Sequence, residues 1–143
     1  MSKVSIVYWS GKENPAMMAG SIADGVAAAG GEAELITVDE ASVDALKDAS
    51  VIALGCPSMG AEQLEETQME PFMCELDGVI AGKQIALFGS YGWGNQEWMR
   101  DWEDRIVADG ATVVNGEGIA VNGTPGPDAE DELKALGQTL ASL

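Results

Sequence analysis

Apolar positions in this chain fall into short runs separated by amphipathic stretches. Val4-Ser5-Ile6-Val7-Tyr8-Trp9 is apolar almost throughout, the pattern of a strand covered on both faces. A polar turn from Ser10 to Asn14 follows. The spacing then predicts a helix from Pro15, a residue suited to a first helical turn, to about Ala29, with Gly30-Gly31 ending it. Glu34-Leu35-Ile36-Thr37-Val38 predicts a second strand and Val43 to Lys47 a short helix. Ser50-Val51-Ile52-Ala53-Leu54-Gly55 predicts a third strand whose unbroken apolar character places it centrally.

A long acidic connection leads to a helix from Glu70 through Leu76. Gln84 to Gly89 predicts the fourth strand. Gln96 to Ala108 predicts the fourth helix, with Met99, Ile106 and Val107 on its inner stripe. Thr112-Val113-Val114 and Ile119-Ala120-Val121 predict a fifth strand in two pieces. Pro127 to Leu143 predicts a closing helix, acid-rich where the helix dipole favours negative charge. Strands alternating with helices argue for a doubly wound parallel sheet. With no repeat, linker or low-complexity segment, a single domain over residues 1–143 is expected.

Composition narrows the function. The 46% hydrophobic content suffices for a packed core, and no run of about 18 apolar residues suggests a membrane span. The N-terminus enters a strand pattern at once, so a cytoplasmic location is expected. Lys and Arg total 7 against 24 Asp and Glu, a net charge of −17, which argues against a nucleic-acid partner. The acidity serves either solubility or steering toward a basic partner. The chain has no His and no C-x-x-C pair, so a zinc or iron–sulfur site has no ligand set. Cys56 and Cys74 read as reduced core thiols.

In a doubly wound sheet the loops after strands one, three and four converge at the edge where ligands bind. Each is unusual here. Ser10-Gly11-Lys12-Glu13-Asn14-Pro15 places a hydroxyl, a glycine and an amide before a helix, an arrangement able to cradle a phosphate or merely to cap a turn. Cys56-Pro57-Ser58-Met59-Gly60-Ala61-Glu62 offers a methionine to a ring face, a glycine that lets a peptide turn over, and a carboxylate for a ring N–H. Alone, that loop reads better as a surface turn with one buried Met. Ser90-Tyr91-Gly92-Trp93-Gly94 raises two aromatics on a glycine loop. A Trp between two glycines packs poorly as core, which favours stacking on a flat ligand.

Other chemistries on this topology lack their residues. A phospho-accepting receiver needs an Asp ending strand three, where Leu54-Gly55-Cys56 stands. A Cys-based phosphatase needs a basic loop after Cys56, and this one is acidic. A dinucleotide dehydrogenase needs G-x-G-x-x-G after strand one. No residue reads as a general acid, base or nucleophile, and Asp101, Glu103 and Asp104 read as a solvated helix face. A carrier is expected rather than an enzyme.

Tyr8-Trp9-Ser10-Gly11, Leu54-Gly55-Cys56-Pro57-Ser58-Met59-Gly60, Glu70-Pro71-Phe72, Leu87-Phe88-Gly89-Ser90-Tyr91-Gly92-Trp93-Gly94 and Trp98-Met99 together resemble the short-chain flavodoxins of anaerobic bacteria. The resemblance implies a flavodoxin-like five-stranded sheet of order 2-1-3-4-5 in three α/β/α layers. It implies non-covalent FMN, low-potential transfer of one electron at a time, a monomer, and redox partner proteins such as reductases, with basic surfaces expected to match the acidity. By position, Ser10, Gly11 and Asn14 match the phosphate loop, and Lys12 stands within it as a further candidate contact. Ser58, Met59, Gly60, Ala61 and Glu62 match one flavin contact. Ser90, Tyr91, Gly92, Trp93 and Gly94 match the other.

A Gly60-Ala61 peptide turned toward flavin N5 would favour the state protonated there. Acids around the site, Glu62, Glu65 and Glu66, would oppose negative charge at N1.

The chain departs from the family at the phosphate. Where flavodoxins read Ser/Thr-x-Thr-Gly-x-Thr, Lys12 and Pro15 replace hydroxyls and Glu13 replaces a glycine. Hydrogen bonds to a charged group are worth roughly 1.5–3 kcal/mol each, so the change bears on affinity. Three outcomes stay open: FMN with altered contacts, a flavin lacking phosphate, or a flavin-free binding module.

Overall fold

The computed structural model describes residues 3–9, 11, 13–58, 64–92, 94 and 96–143. The elements run β1 (Lys3–Tyr8), α1 (Glu13–Ala28), β2 (Glu32–Thr37), α2 (Val43–Leu46), β3 (Val51–Gly55), α3 (Met69–Leu76), β4 (Gln84–Tyr91), α4 (Glu97–Ala108), β5 (Thr112–Val113), β6 (Ile119–Asn122) and α5 (Pro127–Ala141). The strands pair in the order β2-β1-β3-β4-β5, all parallel. The fifth position is shared, as the two-piece pattern predicts: β5 pairs with the start of β4 and β6 with its end. A single 3-10 turn, Val114–Gly116, separates them, with Asn115 at φ 65° and Gly116 at φ 81°.

Strand periodicity sends alternate side chains to opposite faces. Val4, Ile6, Val51, Ala53, Ala86 and Phe88 pack beneath α1 and α5. Val7, Ile52, Leu54, Ile85 and Leu87 pack beneath α3 and α4. Because both faces are covered, β3 is buried at every residue. The result is three layers.

Three expectations are corrected. Val107 is 62% exposed, whereas Trp98, Trp102 and Ile106, spaced four apart, form the inner stripe of α4 with Met99. Cys74 is an exposed free thiol, and only Cys56 is a core residue. Glu103 is not simply solvated: its carboxylate accepts the Gly118 N–H at 2.7 Å and holds the turn before β6.

The ends of α3 and α4 meet at an ionic cluster. Arg105 forks onto Asp77 with contacts of 2.7–3.1 Å and reaches Glu70 at 2.9 Å. Asp109, the C-cap of α4, hydrogen-bonds the Asp77 carboxylate, and its Oδ2 is buried without a partner. Two carboxylates in hydrogen-bond contact require a shared proton. Burial, then Asp77, pushes the Asp109 carboxyl up to about 6, against the pull of Arg105.

The folded chain therefore keeps a proton that the unfolded chain releases near 3.8. Stability falls as pH climbs through that window. Asp109→Asn, neutral at every pH, is expected to melt a few degrees above wild type at pH 7.5. That gain is on the order of 1 kcal/mol after solvent screening. The difference should shrink by pH 4.5; an equal shift at both pH values in thermal melts would refute the shared proton.

Candidate functional site

The carboxyl ends of β1, β3 and β4 open on one edge, and the backbone ties their loops together. The Trp9 N–H donates to the Gly55 carbonyl at 3.0 Å, joining the first loop to β3. Beyond the end of β3, Cys56 N–H bonds Phe88 O at 3.1 Å and Ser58 N–H bonds Ser90 O at 2.9 Å. The third and fourth strands thus stay zipped into their loops. Ser90 and Tyr91, expected on a loop, are the last residues of β4.

Of the candidate residues, Gly11, Asn14, Ser58, Ser90, Tyr91, Gly92 and Gly94 stand on this edge. Ser10, Lys12, Met59, Gly60, Ala61, Glu62 and Trp93 lie outside the described residues, as does the Glu13 side chain.

Gly11 is exposed above the Trp9 ring; a Cβ there would lie 2.3 Å from two ring carbons. Helix α1 begins at Glu13, two residues before the expected start, so Pro15 falls within its first turn. The first turn of a helix leaves N–H groups without internal partners, and Pro15 supplies none.

Tyr91 is half-buried, its ring 5.7 Å from Trp98 and tilted by 50°. Its hydroxyl accepts from Gln96 Nε2 at 3.1 Å. Gln96, read from sequence as the first helical residue, is instead a left-handed N-cap at φ 67°. Gly92 is exposed, and a Cβ built on it meets nothing within 4 Å.

Sequence reasoning missed two features. The first is the turn after β6. Gly123, at φ 73°, donates its N–H to Tyr91 O at 2.9 Å and accepts Asn14 Nδ2 on its carbonyl at 3.0 Å. The glycine itself was the only available signal.

The second is Glu65. Expected among the acids around the flavin, it is buried at 4% exposure. Its carboxylate accepts the Thr67 hydroxyl and the N–H groups of Thr67, Gln68 and Met69, at 2.7, 2.8 and 3.1 Å. It caps the entry to α3. Burial alone would raise its pKa, but these donors hold the carboxyl below the usual range.

The Glu65 N–H in turn donates to Cys56 Sγ at 3.4 Å, closing the base of the loop that carries Met59 to Glu62. Burial pushes the Cys56 thiol up to about 12, so it stays protonated.

The donor set suits a flat heterocycle with a phosphate tail. Exposed backbone at Gly11, Gly92 and Gly94, the part-exposed Ser58 and Tyr91 and the Asn14 amide stand at the edge, and open space lies where a side chain at Gly92 would be. Fold and edge together define an α/β protein that binds a planar ligand at the switch point of a parallel sheet.

The flavodoxin family model matches residues 6–137. The chain is 44% identical to flavodoxin from Megasphaera elsdenii over 138 residues, 96% of this chain and 98% of the relative. It is 42% identical to flavodoxin from Clostridium beijerinckii over 141 residues, covering 98% and 100% of the two chains. The solution structure of two-electron reduced Megasphaera elsdenii flavodoxin superposes with a TM-score of 0.88, at 44% identity and 98% and 99% coverage. A flavodoxin from the domain Archaea superposes at 0.87, with 29% identity over 98% of this chain and 96% of that one.

This chain belongs to the flavodoxin family. It is an FMN-binding electron carrier that works with partner oxidoreductases. Nothing in the comparisons favours the flavin-free alternative. Among the described residues, no helix is long and apolar enough to cross a membrane.

Proposed function

We propose that this carrier works at low potential, one electron at a time, as a cytoplasmic monomer formed by a single domain over residues 1–143. The reading is supported by one observation above all: the hydrogen bonds Trp9–Gly55 and Ser58–Ser90, which hold the first, third and fourth loops on a common edge. Bound FMN supplies the electron chemistry.

The chain's own residues bind and orient it. Met59 and Trp93 would supply the contacts to the two ring faces, with Tyr91 as a further aromatic of the same loop. Ser58, Ser90, Gly92 and Gly94 line the ring's polar edge. Gly60, Ala61 and Glu62 offer a carbonyl and a carboxylate to its N–H groups. Ser10, Gly11, Lys12 and Asn14 take the phosphate at the start of α1.

Acid at the ring edge and a net charge of −17 resist further negative charge and hold the potential low. The same charge steers basic-faced redox partners to the exposed edge.

Titrating the flavin-free protein with FMN and with riboflavin tests the site. FMN is expected to bind more tightly, through Lys12 and the remaining loop donors. Equal affinities would remove the phosphate loop from the site. Trp93→Ala is expected to weaken both flavins by roughly tenfold or more, because stacking adds to the area it buries. Unchanged binding of riboflavin by that variant would refute the stacking role.

A further inference from the structure

We propose that Asn14 is a positioning residue for the ring end of the site, acting through Gly123 on Tyr91 and Gly92. The inference rests on the proposed placement of the flavin at this edge. It goes beyond the phosphate-loop role suggested by the position of Asn14.

The geometry is a relay of two hydrogen bonds across the mouth of the site. Asn14 stands in the first turn of α1, and its Nδ2 donates to the Gly123 carbonyl at 3.0 Å, across 109 positions of sequence. The Gly123 N–H donates to the Tyr91 carbonyl at 2.9 Å. Gly123 is left-handed, φ 73°, a conformation that aims its two peptides in directions an L side chain would resist. Both of those peptides are held, so displacing one carries the other with it.

Tyr91 is also held by its pairing with Asn122 in the β4–β6 ladder and, through its side chain, by Trp98 and Gln96. Its carbonyl belongs to the peptide whose N–H is that of Gly92. Gly92 is exposed at the start of the aromatic loop, and a Cβ built on it would meet nothing within 4 Å. The Gly123 bond therefore fixes the plane of the peptide that faces the ring. Asn14 keeps its second N–H for the phosphate end. One side chain thus joins the two halves of the binding site, and loss of its donor should be felt at both.

The test uses Asn14→Ala, and Asn14→Asp as a second variant that keeps the shape and loses the donor. Each is titrated with riboflavin and with FMN. Amide resonances of Tyr91, Gly92 and Gly123 are followed in the flavin-free protein. The relay predicts that riboflavin, which has no phosphate, binds roughly two- to tenfold more weakly to both variants. It also predicts that the Gly92 and Gly123 resonances move before any flavin is added.

Weaker FMN with unchanged riboflavin would overturn the proposal and leave Asn14 a phosphate donor only. Weaker riboflavin with unmoved Gly92 and Gly123 resonances would overturn it too, as general loosening. If the wild-type protein bound neither flavin, the site reading would fail by itself. The amide shifts would still decide whether Asn14 acts on the Tyr91–Gly92 peptide.

Discussion

Gly89→Ala is expected to lower stability by roughly 2–4 kcal/mol and to weaken flavin binding sharply. A Cβ at position 89 would lie 2.1 Å from the Cys56 carbonyl oxygen and 3.1 Å from both the Cys56 carbonyl carbon and Trp98 Cζ2. None of these neighbours moves freely. The Cys56 carbonyl accepts the Trp98 indole N–H at 3.2 Å, and the Cys56 N–H is bonded to Phe88 O. Relief of the clash must part β3 from β4 at the point where they carry the second and third loops. The ring slot would widen there.

Thermal melts should show a fall of roughly 6–15 °C for a chain of this size. Gly20→Ala provides the contrast: it lies within α1, nothing stands within 4 Å of its Cβ, and roughly 0.5–1 kcal/mol of added stability is expected. A Gly89→Ala protein that melts and binds FMN like wild type would show that the two strands can separate freely.

Glu65→Gln is expected to cost roughly 2–4 kcal/mol at pH 7. The carboxylate takes the Thr67 hydroxyl and the N–H groups of three consecutive residues entering α3. An amide turns one acceptor into a donor facing donors and removes the charge that strengthens each bond.

The pH dependence has a definite sign. A carboxyl held below its unfolded value stabilises the fold above that value and loses the contribution as pH falls through its folded value. The difference in melting temperature between wild type and variant should thus be largest near neutrality and close in acid. This is the reverse order in pH from an ionisable group such as Asp109, whose folded value is raised. The variant should also bind FMN more weakly, because Glu65 anchors the end of the loop bearing Met59 to Glu62. A constant difference across pH would rule out ionisation as the source of the cap's strength.

Much of this protein is determined by sequence alone, because local patterns carry the information. Two-sided apolar runs marked β1, β3 and β4, and the break between Val114 and Ile119 marked a fifth strand in two pieces. The glycine–aromatic and methionine–glycine loops pointed to the family, and the comparisons agree.

What only the tertiary structure decided involves partners remote in sequence. Val107 occupies a plausible helical position, yet Trp102 takes the inner stripe, since facing strands select which arc of α4 is buried. Glu65 looks like one more surface acid until the entry to α3 brings donors to it and burial makes those bonds strong. Asn14 reads as a phosphate donor, and nothing local announces that it meets Gly123 across the sheet edge. Periodicity reports which face of an element is apolar. Pairings between polar groups arise only when the chain closes on itself, because hydrogen bonds depend on distance and direction and leave no repeat in the sequence.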